Sequence, residues 1–186
     1  MNKLYLVSTS PRRISILKKF GYDFEVLKPE EVEEVHTSPE DTLLNATGKL
    51  EGFRVREGQI LLAADTLVFC DGKTLGKPSS AEEAKEYLRI LSGKTHKVYT
   101  GYVLRSIDEK IERIVETEVT FFELGETELE FILKFDNPLD KAGAYGIQDF
   151  TGIFVKSIKG SYYNVVGLPI EYLYFDLKKM GVLPTP

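Results

Sequence analysis

Leu4-Tyr5-Leu6-Val7-Ser8-Thr9-Ser10-Pro11-Arg12-Arg13 is the stretch that decides the fold. Its continuous apolar run fits a strand buried on both faces, as strands of a parallel sheet are. A helix start follows at once: Ser10 suits the N-cap, and Pro11 suits the first helical position, where a missing N–H costs nothing. Ile14, Leu17 and Phe20 supply that helix with an inward face, Lys18-Lys19 suit its last turn, and Gly21 ends it. Strand, tight turn and helix in quick succession point to an α/β protein.

Working outward, Ser38-Pro39-Glu40-Asp41 opens a second helix that is expected to bury Leu43, Leu44 and Leu50, with Gly48 and Gly52 near its end. Ile60 to Phe69 reads as a central strand interrupted by one carboxylate, Asp65, and Asp71-Gly72 turns it into a short strand at Thr74-Leu75. Ser80-Ala81-Glu82-Glu83 is a capping box, followed by Ala84, Tyr87, Leu88 and Leu91 at helical spacing and by Gly93 as the stop. Lys97 to Ile107 and Ile111 to Leu124 form a long hairpin around Asp108-Glu109-Lys110, and Thr127 to Lys134 forms a short helix. Gly152 to Ile158 and Ser161 to Val166 read as strands, and a last helix runs from Pro169 through Leu173, Leu177 and Met180 to Gly181. Without repeats, low-complexity segments or long linkers, the expectation is a single mixed α/β domain over residues 1–186, in which two lobes around a cleft are admitted.

Composition removes several functions. At 186 residues and 42% hydrophobic the chain can bury a sizeable core, so wholesale disorder is excluded. Its apolar runs fall far short of the ~18 to 20 residues of a membrane span. The N-terminal run is too short for a secretory h-region, and Cys70 is the single cysteine, so no internal disulfide or cysteine-based zinc site can form. The cytoplasm is the expected compartment. A net charge of -5 disfavours nucleic acid as a partner, so a polyanionic ligand must meet local positive charge. His36 and His96 lack metal-pair spacing, and neither HExxH nor a nucleophile elbow occurs, which disfavours zinc-protease and serine-hydrolase chemistry.

Arg12 and Arg13 fall in the first helical turn, where the helix dipole makes two more cations unfavourable by ~0.3 to 1 kcal/mol each. Phosphate oxygens would offset them; so would nearby surface acids. Asp65 in a strand suited to full burial needs a metal, a lysine, a reacting water or a plain ion pair as partner. Lys77 follows the hairpin, which can fold it back toward Asp65. Glu30-Glu31-Val32-Glu33-Glu34 offers hard oxygen ligands for magnesium, or is simply a solvated charge run. Gly143-Ala144-Tyr145-Gly146-Ile147-Gln148 lets backbone approach a ligand, with Gln148 as donor and acceptor, though a tight connection explains the glycines as well. His96 is expected to cap or hydrogen-bond the helix-to-strand turn before it.

Six segments in order resemble the Maf family of nucleoside triphosphate pyrophosphatases over nearly the whole chain: Ser8 to Arg13, Ala64-Asp65-Thr66, Leu75-Gly76-Lys77-Pro78, Leu91 to His96, Asp140 to Gln148, and Val166-Gly167-Leu168-Pro169. The resemblance implies an inosine-triphosphate-pyrophosphatase-like fold, a mixed twisted sheet with flanking helices and two lobes around a central cleft. It implies cleavage between the α and β phosphates with magnesium or manganese. Asp65 is similar to the family's proton acceptor and joins Glu34 at the metal, with Glu33 as the alternative one place earlier. Arg13 and Lys77 are similar to its phosphate-binding cations, with Ser8 in the same substrate-binding set. Lys49 is similar to the lysine of a Leu-Ala-x-x-Lys-Ala segment that here reads Asn45-Ala46-Thr47-Gly48-Lys49-Leu50. Arg12, Thr66 and Gln148 match the branch preferring dTTP and UTP; the 7-methyl-GTP branch has Trp, Gln and Glu there.

The expected enzyme is therefore a metal-dependent nucleoside triphosphate diphosphatase, with a homodimer admitted. Family members are also linked to septum formation, and the rival expectation is a nucleotide-sensing regulator of division without turnover. A pure sensor has little need of a buried acid among phosphate-binding cations, because the acid repels the ligand.

Overall fold

The fold is given by a computed structural model that describes residues 2–186; Met1, at the head of the N-terminal run, lies outside them. Among the described residues the elements are β1 (Lys3–Val7), α1 (Pro11–Lys19), β2 (Phe24–Leu27), α2 (Asp41–Leu50), β3 (Gln59–Cys70), β4 (Lys73–Leu75), α3 (Ala81–Leu91), β5 (Thr95–Arg105), β6 (Lys110–Phe121), α4 (Glu126–Phe135), β7 (Val155–Lys159), α5 (Tyr162–Val166) and α6 (Ile170–Lys179). Seven strands make one mixed sheet in the order β2-β1-β3-β5-β6-β7, with β4 beside the far end of β3. β1 runs parallel to β2 and β3, and the remaining pairs are antiparallel.

The sheet is covered on both faces near its parallel end. Leu4, Leu6, Ile60, Leu62, Tyr102 and Leu104 pack against Ile16 and Leu17 of α1 and Leu173 and Leu177 of α6. On the opposite face Val7, Leu61, Ala63 and Val103 meet Ala46 and Leu50 of α2. The long antiparallel strands then continue beyond Asp65 into a second lobe, where Val68, Val98, Val119 and Phe121 pack with α3 and α4 through Leu88, Leu91, Leu129 and Ile132. The two lobes thus share one sheet.

Two approaches fix α2 over the centre of that sheet. Gly101 is paired with Asp65 in register, and a Cβ there would lie 2.3 Å from Thr42 Oγ1 and 2.9 Å from the backbone nitrogen of Leu43. Glycine therefore lets the start of α2 sit on the strand. At the other end, Val32 of the acidic loop lies 3.1 Å from where a Cβ on Gly48 would stand, so the loop rests directly on the helix.

Several expectations are corrected. Leu44 is 57% exposed, because the inward stripe of α2 is Thr42, Asn45, Ala46 and Leu50. Regular helix begins at Asp41, not Ser38; the Asp41 carboxylate accepts the N–H groups of Thr37 and Ser38 (2.6 and 2.9 Å) and holds them in a turn. In α1 the inward face is Arg13, Ile16 and Leu17, with Ile14 and Phe20 at its margin, since Arg13 itself turns inward. Glu83 completes its box one residue early, accepting from the Ser79 N–H at 2.5 Å. Residues 150–154 form a 3₁₀ turn, fixed where the Asp136 carboxylate accepts the N–H groups of Phe150 and Thr151 (both 2.9 Å), and only Val155–Lys159 is strand. Ser161 to Val166 is helical despite its β-branched residues: the Ser161 hydroxyl caps the Asn164 N–H at 2.9 Å, and the buried Asn164 amide donates to the Val98 and Val115 carbonyls. The short β2 was not anticipated.

Candidate active site

A cleft of about 870 Å³ opens where one edge of β3 is bare. β1 covers residues 59–62 of that edge and β4 covers 68–70, while β5 covers 61–69 on the other side. The residues between, Asp65 and Thr66 among them, have no strand partner on the cleft side. Successive strand residues point to opposite faces, so Asp65 turns toward α2 and Thr66 toward α1.

Asp65 is buried, and its two oxygens are in different situations. Oδ2 accepts a hydrogen bond from the Asn45 amide at 2.8 Å, whereas Oδ1 has only the Lys49 ammonium, 3.6 Å away. Lys49 donates to the bare Ala64 carbonyl at 3.0 Å and lies 3.5 Å from Glu34 Oε1, so one ammonium faces both carboxylates. Burial lowers the Lys49 pKa, the Arg13 charge lowers it further, and the two acids oppose this. Glu34 also lies 3.5 Å from His36 Nε2. Glu33 is absent from the lining of the cleft, which includes Glu34.

On the α1 side, Arg13 is buried at the first helical turn. Its Nε donates to the Gly167 carbonyl at 2.8 Å and its Nη2 to Thr66 Oγ1 at 3.1 Å. Burial depresses the guanidinium pKa, with the Asp65 charge acting the other way; the group stays protonated. The Ser8 hydroxyl, also buried, accepts the Ser10 N–H at 3.1 Å and shapes the turn into α1. Arg12 reaches across the cleft, donating to Asp140 Oδ2 and to the Asp140 carbonyl, both at 3.3 Å. For Arg12 the pairing with a nearby acid is therefore realised.

The far wall is the loop after α4. Gly143, at φ +70°, takes a left-handed conformation and presses on Val68, so that a side chain there would collide at 2.8 Å. Lys141, buried in this wall, donates to the Asn137 carbonyl at 2.7 Å and to Asp140 Oδ1 at 2.8 Å, and lies 3.2 Å from Asp149 Oδ2. Gln148 is exposed on the same loop, and Lys77, also exposed, enters the cleft after β4. His96 does not cap the helix-to-strand turn. It lies within β5, buried, its Nε2 2.6 Å from the Tyr145 hydroxyl, and burial pushes its pKa down to about 4. It braces the loop from behind.

Ser8, Arg12, Arg13, Glu34, Lys49, Asp65, Thr66, Lys77 and Gln148 all line this one cleft, though they come from six separate segments. Asn45 and Lys141 were not singled out in the sequence. A polar residue on the inward stripe of α2 was the available signal for Asn45; for Lys141 it was its place in the Asp140 to Gln148 segment.

Fold and cleft together define a mixed α/β protein with a charged small-molecule site at a break in its central sheet. More particularly, the chain belongs to the Maf-like protein family, whose model matches residues 3–180. It is 44% identical, over 98% of its length and 97% of theirs, to proteins named dTTP/UTP pyrophosphatase from Bacillus cereus and Bacillus anthracis. A protein of the same name from Bacillus cytotoxicus is 46% identical over 96% of both chains.

Proposed function

We propose that this protein hydrolyses dTTP and UTP to the monophosphate and pyrophosphate, with Asp65 as the base. The observation that carries this is the open Oδ1 of Asp65, facing a cleft in which Arg13, Lys49 and Lys77 converge. Water attacks the α-phosphorus, forming a new P–O bond as the bond to the bridging α–β oxygen breaks, and Oδ1 of Asp65 takes the water's proton. Pyrophosphate departs with the bonding electrons. Arg13 and Lys77 bind phosphate oxygens, the guanidinium held rigid by its bonds to Gly167 and Thr66. Preorganised cations of this kind favour the charge that develops during phosphoryl transfer. Ser8 and Arg12 orient the nucleotide at the start of α1, and Gln148 reads the base.

A divalent cation, magnesium or manganese, fits this donor set. Glu34 Oε1 and Asp65 Oδ1 already converge on one positive charge, at 3.5 and 3.6 Å from the Lys49 ammonium. Among the described residues no group of three or more His, Cys, Asp or Glu is placed to hold an ion unaided. Magnesium is commonly held by one or two carboxylates together with substrate phosphates, so Glu34 and Asp65 would hold it with the nucleotide. When bound it supplies neutralisation and polarisation of phosphate oxygens. The lining of the cleft carries six basic and six acidic side chains, so net charge alone does not draw in a triphosphate, and a metal counter-charge resolves this.

The cytoplasm is the setting that agrees with this reading: Cys70 is the single thiol, and among the described residues no helix is long and apolar enough to cross a membrane. The deciding experiment incubates the protein with a panel of triphosphates and magnesium or manganese and separates the products. Monophosphate plus pyrophosphate from dTTP and UTP is expected. Release of orthophosphate, or tight binding without turnover, would overturn the assignment, the latter in favour of a nucleotide sensor.

A further inference from the structure

We propose that Asn45 is a positioning residue that binds the acidic loop and Asp65 into one unit through a single side-chain amide. The inference rests on the role proposed above for Glu34 and Asp65. Asn45 is 2% exposed on the inward stripe of α2. Its Oδ1 accepts the Val35 N–H at 2.9 Å, and its Nδ2 donates to the Val35 carbonyl and to Asp65 Oδ2, both at 2.8 Å. The amide's orientation is fixed by chemistry, since both neighbours of the nitrogen are acceptors and the neighbour of the oxygen is a donor.

The segment carrying Val35 has no regular secondary structure from residue 28 to 36, so the side chain stands in for the strand partner its backbone lacks. Glu34 is the adjacent residue, and Lys49 lies one helical turn beyond Asn45 on the same face of α2. Helix α2 thus addresses the site twice. The amide anchors the loop and occupies Oδ2 of Asp65, while the ammonium faces Glu34 Oε1 and Asp65 Oδ1. Oδ1 is left as the open oxygen because Oδ2 is taken. For packing alone a leucine would serve, and it is the better helix former, so the bonds are what distinguish asparagine at this position.

The test compares Asn45→Leu and Asn45→Asp with the intact protein by amide hydrogen exchange, thermal unfolding and dTTP kinetics. In Asn45→Leu the Val35 amide is expected to exchange at least ~10-fold faster as the loop opens locally. Its kcat should fall by about 10-fold or more through misplacement of the two acids, with KM changing less than about threefold. Asn45→Asp keeps an acceptor for the Val35 N–H but loses the donor to both the Val35 carbonyl and Asp65, so exchange at Val35 rises less than in Asn45→Leu while kcat falls at least as far. That separation of exchange from turnover is not produced by a loss of helix stability, which would lower the melting temperature and leave the kcat of the folded fraction alone. Unchanged exchange at Val35 in Asn45→Leu, or kcat within about twofold of the parent in both variants, overturns the proposal. If Asn45→Leu does not fold, wild-type kcat in Asn45→Asp overturns it. Should the parent protein turn over no triphosphate, the nucleotide reading fails, and exchange at Val35 still decides whether Asn45 holds the loop.

Discussion

Asp65 and Asp176 are both buried carboxylates, 6% and 0% exposed, in opposite surroundings. Asp176 of α6 accepts from Tyr102 at 2.6 Å and from Arg113 Nε and Nη2 at 2.8 and 3.0 Å, with Lys179 3.4 Å away. The Arg113 guanidinium holds its pKa below the usual carboxylate range against the opposing effect of burial, and the Tyr102 hydroxyl assists. Asp65 has one hydrogen bond and a cation beyond hydrogen-bonding distance. A structural acid is saturated by its own protein; an acid kept for a ligand has an oxygen to spare. Bonding state, more than burial, separates the two.

The largest effect should come from exchanging the two. Asp65→Asn keeps the volume and the bond to Asn45 can be rebuilt through the amide oxygen, so the fold survives while kcat drops ~10²-fold or more. Asp176→Ala should leave the kcat of the folded protein within about threefold and lower stability by about 2 to 3 kcal/mol, mainly by leaving the buried Tyr102 O–H without its acceptor and the Arg113 guanidinium without its carboxylate. The effect is below that of a fully buried pair because Arg113 is about a third exposed and rehydrates. Since the folded-state pKa of Asp176 is depressed, its contribution is complete above the unfolded value of ~3.9 and is lost as pH falls through the folded one. Denaturant titrations should therefore give a constant stability gap between parent and variant at pH 5 to 8 that narrows below about pH 4. Near-normal turnover in Asp65→Asn would break the contrast, as would a pH-independent gap for Asp176.

The contrast also explains what the sequence made legible. Asp65 stood out because a carboxylate breaks an apolar strand, and Ser10-Pro11 and Ser80 to Glu83 announced their helices through local chemistry. Asp176 did not stand out although Phe175 and Leu177 flank it, because its partners Tyr102 on β5 and Arg113 on β6 are brought to it only by the tertiary fold. Asn45 was hidden for the same reason, its three bonds running to residues ten and twenty places away. Ser161 to Val166 misled because its helix is stabilised by a cap and by Asn164 reaching into the sheet, neither of which shows in periodicity. The bare edge of β3 that creates the cleft depends on where β1 stops and β4 starts, a matter of register.

Arg13 and Lys77 sharpen the comparison at intermediate size. Arg13 is partly committed, with Nε and Nη2 bonded within the protein, whereas Lys77 is exposed. Replacing either with Ala should weaken triphosphate binding about tenfold, and the nucleoside much less, by removing charge-assisted contacts. Only Arg13→Ala should also destabilise the fold, by about 1 to 2 kcal/mol, because the Gly167 carbonyl loses its donor. Calorimetry with dTTP and with thymidine, beside thermal unfolding of each variant, checks both halves. Equal destabilisation by the two substitutions would mean that internal bonding does not distinguish them.

Gln148 is the limiting case, exposed on the far wall and, among the described residues, without a side-chain hydrogen bond of its own. Its replacement should cost no stability, and its effect on turnover should be the smallest of the set. Selectivity is where it should tell. Thymine and uracil present a carbonyl, an N3–H and a second carbonyl, so the glutamine amide can give one hydrogen bond and take another. Cytosine reverses two of these groups, which leaves the amide facing a mismatched pair, and purines are excluded by size. In Gln148→Glu the donor is lost and a negative charge is brought toward the pyrimidine carbonyl. The preference for dTTP over CTP in kcat/KM should then fall by about tenfold, with melting temperature unchanged. Measuring kcat/KM for dTTP, UTP, CTP, ATP and GTP with parent and variant makes the comparison directly. A profile that does not change on substitution would remove Gln148 from base recognition and leave the pyrophosphatase chemistry at Asp65 standing, because the two sit on opposite walls of the cleft and answer to different bonds of the substrate.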